Sequence, residues 1–171
     1  MTVMRQTIKA RDIALTGVMI ATMEAVKMAL SFLPGVELVT LLIVLYALVF
    51  GRRIYYAIAA FVLIEGCLYG FGIWWVMYLY IWPLLAFFAR LLRKHEEAWF
   101  WAVVTGFYGL FFGALCALPY LVIDGWHAAL VWWVAGIPHD IIHGISNATL
   151  TLVLFQPLYG TLKKLGSQFL S

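Results

Sequence analysis

Apolar runs, each about the length of a membrane helix, alternate along the chain with short clusters of charge, glycine and proline. A helix rises about 1.5 Å per residue, so a hydrocarbon core about 30 Å thick takes about 20 residues to cross. The first run extends from about Asp12 to Phe32 and stops at Pro34-Gly35, where proline cannot continue a helix. The second covers about 36–50 and ends at Gly51-Arg52-Arg53. From Ile54 to Ala89 the only charge is Glu65; that stretch is too long for one crossing and divides at Gly66, Gly70 and Gly72, giving spans at about 54–70 and 73–90. The polar stretch Arg90 to Glu97 precedes a fifth span at about 98–122. Trp126 to Gly136 is too short to cross and rich in tryptophan, which predicts an interfacial segment before Pro138 opens a sixth span, about 138–160. The expected fold is therefore an all-α membrane protein, one transmembrane domain over residues 1–171 with six transmembrane helices.

Charge orients these helices. Of the 11 basic residues, Arg5, Lys9, Arg11, Arg52, Arg53, Arg90, Arg93, Lys94, Lys163 and Lys164 all fall on one side if the spans alternate, and Lys27 alone lies within a span. By the positive-inside rule that side is cytoplasmic and both termini lie there. Composition agrees: 65% of the 171 residues are apolar and 11% charged, which excludes a water-soluble globule and leaves no room for a soluble catalytic domain. A net charge of +3 is too slight to indicate a nucleic-acid partner. The basic N-terminus resembles a signal peptide, but its apolar stretch is long, contains Glu24 and Lys27 and shows no convincing cleavage site, so it reads as a retained first helix. Cys67 and Cys116 have no CxxC spacing and read as small core residues.

Polar groups inside the spans mark the candidate site, because an ionisable side chain at the bilayer centre costs about 2.5–3.5 kcal/mol and should face a cavity or a partner. Glu24 and Lys27 share a face of the first helix, either as a self-contained ion pair or as part of a polar site. The third span adds Glu65 and Tyr69. In the sixth, His139, His143 and Asn147 recur every four residues beside Asp140. All fall at the outer half of the membrane, with Trp74, Trp75, Tyr78 and Trp82 of the fourth span, and together predict one outward-facing pocket with aromatic walls. Interfacial belting is the competing reading for the tryptophans, least so for the deeper Trp82. The His139–His143 run has metal-ligand spacing, but the chain holds four histidines in all, too few for a di-iron site of the membrane desaturase type. A single metal at His139, Asp140 and His143 is the weaker alternative, and no metal is expected. No GxSxG, HExxH, CxxC or Walker A motif occurs, so an enzyme is not expected and any ATP use belongs to another protein.

On the first helix Ala10, Ala14, Gly17, Ala21 and Ala25 form a small-residue stripe, suited either to packing within the chain or to docking a separate membrane subunit. This AxxxA-type stripe (Ala10-x-x-x-Ala14, Ala21-x-x-x-Ala25), six spans with both ends inside, the outer loop Leu33-Pro-Gly-Val-Glu37 and the aromatic-polar pocket together resemble, over essentially the whole chain, the substrate-binding S component of an energy-coupling factor vitamin transporter. The resemblance implies a subunit of a prokaryotic plasma membrane that captures one water-soluble vitamin from outside. It implies docking through Ala10, Ala14, Gly17, Ala21 and Ala25 onto a transmembrane coupling subunit driven by two ATPase subunits, with no cofactor of its own. The loop between spans one and two would be a lid, adding Glu37 to the binding set. The stripe runs unusually far along the helix for this family, so Ala21 and Ala25 have internal packing as a second reading. Members that capture nickel or cobalt resemble a site with an N-terminal His motif, which Met1-Thr2-Val3-Met4 lacks, so a ring-bearing vitamin is expected. Cobalamin leads, with pyridoxine or another vitamin next. A self-sufficient small secondary transporter is the alternative, although neither inverted repeats nor broken helices are evident.

Overall fold

The computed structural model describes residues 10–170; Arg5 and Lys9, which enter the charge argument, lie outside them. Among the described residues the chain is helical with short connections and no strand. The α-helices are α1 (Ala10–Leu30), α2 (Val39–Phe50), α3 (Ile54–Tyr69), α4 (Ile73–Leu91), α5 (Ala98–Leu110), α6 (Phe112–Cys116), α7 (Leu118–Ile123) and α8 (Gly125–Leu170), with a 3-10 turn at Gly51–Arg53. Four runs are long and apolar enough to cross a membrane: Ala10–Leu30, Val39–Tyr69, Ile73–Leu91 and Gly125–Gln168. Ala98–Leu110 with Phe112–Ile123, bent by 44°, makes a fifth if taken as one span.

Three contacts fix the course of the first helices. Arg53, just before α3, donates to Asp12 near the start of α1 at 2.9 Å; Tyr46 of α2 and Thr22 of α1 share a hydrogen bond of 2.6 Å; and Lys27, late in α1, is ion-paired with Glu65, late in α3. α1 and α3 therefore run parallel. Were Val39–Tyr69 one straight helix, Tyr46 would lie beyond Asp12 rather than beside Thr22, so the run is folded back on itself at Gly51 (φ 63°). This is the reversal expected at Gly51-Arg52-Arg53, although at 12 and 16 residues the two arms, α2 and α3, are short for separate crossings. α4 turns back again, bringing Arg90 over the Tyr55 ring at 5.8 Å.

The second half is built on contact between α5 and α8. A Cβ on Gly109 would stand 2.8 Å from the Gly144 Cα, so the backbones meet where small residues face each other. Buried Thr105 and Thr151 hydrogen-bond at 2.9 Å across the same seam. The expected fifth span is broken near Phe111 and Ala117. Pro119 has no N–H for the Leu115 carbonyl, and the Tyr80 hydroxyl donates to that oxygen at 2.7 Å.

Two expectations are corrected. Trp126 to Gly136 is not a separate interfacial segment: α8 runs unbroken for 46 residues through Pro138 and Pro157 and continues past 160. A proline removes one hydrogen bond without ending a helix whose flanking turns are held, and here Trp132 stacks on Tyr120 of α7 at 5.2 Å. Cys67 is exposed on α3, whereas Cys116 is buried as expected.

The basic residues of the loops gather at the end of the molecule where α2 turns into α3 and α4 ends. There Lys163 donates to Glu96 at 3.0 Å and the Tyr159 hydroxyl donates at 2.9 Å, and these bonds hold the Glu96 carboxyl below its ordinary range. The opposite end carries the cavity.

Candidate functional site: an aromatic-walled cavity between α1, α4 and α8

A cavity of about 180 Å³ opens at that end. Its roof is the connection from α1 to α2, where Gly35, Val36 and Glu37 lie over the cleft. Gly35 has φ 76°, and a Cβ there would stand 2.9 Å from Ile142 Cγ2 of α8, so a side chain is excluded by both conformation and space. The Ser146 hydroxyl donates to the Gly35 carbonyl at 2.7 Å, which pins the roof to α8. Glu37 lies just before α2; one of its oxygens accepts the Thr40 N–H at 2.9 Å, a placement the helix dipole favours. Its other oxygen, Oε1, is buried, has no hydrogen-bond partner and lies 3.6 Å from His143 Nε2, itself buried and unpartnered.

The walls are aromatic. Trp74, Tyr78 and Trp82 recur every four residues of α4 and contact one another edge to face, at 5.4 Å and 5.2 Å. Trp82 then meets Phe112 at 5.8 Å, and Phe112 stacks on His143 at 4.9 Å and 20°. The Trp82 indole N–H is buried without an acceptor.

Lys27 closes one side. It is ion-paired with Glu65, which is fully buried at 0% exposure, and it lies 5.0 Å from the Tyr69 ring centroid and 5.4 Å from that of Tyr78. On its far side is a second cavity of about 300 Å³ bounded by Lys27, Ser31, Glu65, Tyr69 and Trp74. Glu24 adds a carboxylate within electrostatic range of Lys27, both of its oxygens buried without a hydrogen-bond partner.

The expected residues thus divide. Lys27, Glu37, Tyr78, Trp82, His139 and His143 line the first cavity; Glu65 and Tyr69 line the second. Four line neither cavity: Glu24, which stays beside Lys27, and Asp140, Trp75 and Asn147. Asp140 turns to α6, where it accepts the Gly113 N–H at 3.0 Å, and Trp75 donates to the Val62 carbonyl at 2.8 Å, joining α3 to α4. Asn147 is buried beside Thr105, which donates to its carbonyl at 3.3 Å. His139, Asp140 and His143 do not converge, and among the described residues no group of three His, Cys, Asp or Glu is placed to hold a metal ion. Gly35 and Val36 of the loop expected as a lid complete the lining with Phe112 and Val39, which were not expected. Phe112 had no signal, being one of many aromatics in an apolar run. The small-residue stripe stands apart: Ala10, Ala14, Gly17, Ala21 and Ala25 are all exposed, and nothing lies within 4 Å of a Cβ built on Gly17.

Compared with protein-family models, curated proteins and solved structures, the chain matches none.

Proposed function

We propose that this chain is the ligand-capturing subunit of a vitamin importer, an S component in the energy-coupling factor sense. It crosses the membrane six times with both ends in the cytoplasm. The observation that carries the reading is the roofed cavity at the end opposite the basic loops, with aromatic walls and unpartnered polar atoms on Glu37, His143 and Trp82. A water-soluble vitamin entering hydrocarbon depth must exchange its hydration for hydrogen bonds and ring contacts, and these groups offer both. The exposed stripe from Ala10 to Ala25 suits close approach of the coupling subunit's backbone, and the two ATPase subunits supply the energy that this chain has no motif to harness. Of the candidate vitamins, the 180 Å³ volume favours a pyridoxine-sized ligand over cobalamin.

Mass spectrometry of ligand co-purifying with the protein, followed by calorimetry, tests this. Sub-micromolar binding in detergent without any gradient is expected. A secondary transporter is the second reading, favoured by the unpartnered Glu24 carboxylate, which a proton-coupled carrier would use. No binding below micromolar, together with solute movement by the purified protein along a proton gradient, would replace the first reading with the second.

A further inference from the structure

Charge at the cavity end does not balance. Among the described residues around the two cavities one ammonium, Lys27, stands with three carboxylates, Glu24, Glu37 and Glu65, and each of these has a buried oxygen with no hydrogen-bond partner. Lys27 is committed to Glu65; one oxygen of Glu37 accepts the Thr40 N–H, and the other, Oε1, has nearby only the imidazole of His143, at a distance too long for a hydrogen bond. Uncompensated negative charge is costly in a water-poor site, and an anionic ligand would add to it. The rings of Tyr78, Trp82 and Phe112 line the cavity with Glu37, and aromatic π-faces attract cations. Size narrows the choice. A cavity of about 150 Å³ holds a benzene ring, so 180 Å³ admits one substituted ring and not a macrocycle. The unpartnered Trp82 indole N–H asks for an acceptor on that ring.

We propose that this pocket takes a small organic cation built on a single aromatic ring, its positive nitrogen set against Glu37 and an acceptor atom on or beside the ring toward Trp82. The proposal rests on the capture-subunit reading and names the class of its ligand. Charge enters as the selective element. A neutral analogue leaves the Glu37 oxygen unpaired, and an acid places like charges together, whereas the cation satisfies the carboxylate and contacts the aromatic walls.

The test is calorimetry of the full chain in detergent with four probes: pyridoxamine, pyridoxine, 4-pyridoxic acid and cyanocobalamin. The first three share a ring and differ in the charge of one substituent. Pyridoxamine should bind at least tenfold tighter than pyridoxine and at least a hundredfold tighter than the acid, and Glu37→Gln should bring the amine and the alcohol within about threefold of each other. Because the wild-type ranking is decisive by itself, the proposal remains falsifiable even if the variant fails to fold. Equal or tighter binding of the acid overturns the charge argument, tightest binding of cyanocobalamin overturns the size argument, and no binding of pyridoxamine at millimolar concentration overturns the proposal as a whole. In each of those cases a different compound extracted from the purified protein would leave the capture-subunit reading standing. That reading falls separately, if no compound is extracted and the protein alone moves solute along a proton gradient.

Discussion

Replacing Lys27 by methionine removes the ammonium from the cavity end and leaves Glu65, at 0% exposure, with nothing to hold its charge. Breaking a buried ion pair by deleting one partner costs about 3–5 kcal/mol. The Lys27 side chain is 28% exposed, so solvent screens part of the attraction and the lower end of that range applies. A loss of about 3 kcal/mol is expected. For a chain of this size each kcal/mol shifts the melting temperature by about 2–4 °C, giving a fall of about 6–12 °C. Removing both charges with Lys27→Met/Glu65→Leu should recover most of the fall, because apolar replacements of a buried pair are close to neutral. Thermal unfolding followed by intrinsic fluorescence suits a protein with 8 tryptophans. A single variant melting within about 1 °C of wild type, or a double variant melting as low as the single one, would refute the reasoning.

Other outcomes follow from the same contacts. Ala14→Trp lies on the exposed face of α1 and should leave melting and ligand binding unchanged while abolishing uptake in cells; loss of binding would instead place the stripe inside the fold. Gly35→Ala meets both a positive φ and Ile142, so it should cost about 1–2 kcal/mol and weaken ligand affinity by loosening the roof, and wild-type values in melting and calorimetry would refute that role. Glu96 is held below its ordinary carboxyl value of 4.5, first by the Lys163 bond and then by Tyr159. Its contribution is therefore present above pH 4.5 and lost as pH falls through the lowered value. Wild type should be the more stable of the pair with Lys163→Met at pH 7, the gap closing in acid; a gap that widens in acid would contradict the assignment.

Much of this architecture was legible in the residues because membrane depth imposes simple rules. The breaks at Pro34-Gly35, Gly51 and Gly70 to Gly72 are where the chain turns, and Glu24, Lys27, Glu65, Tyr78, Trp82 and His143 do gather at one end. Where the reading failed, tertiary contacts outweighed local signals. Pro138 looked like a helix start, yet stacking of Trp132 on Tyr120 keeps α8 continuous through it. Asp140 shares a helix with His143 but points to Gly113, because residues three apart on a helix are near neighbours without having the same facing partner. Trp75, one residue from Trp74, faces α3 rather than the cavity, and the identity of its acceptor, the Val62 carbonyl, has no sequence signature. Phe112 reached the site only through the 44° bend between α5 and α6, which no residue type in that apolar run announces.

A capture subunit, as proposed for this chain, binds its solute without driving it. Uptake of radiolabelled ligand into proteoliposomes containing only the purified protein, with a proton gradient imposed, tests that most directly. Saturable binding to the vesicles is expected, with no accumulation inside them until a coupling subunit and ATPases are added with ATP. Accumulation by the protein alone would contradict it.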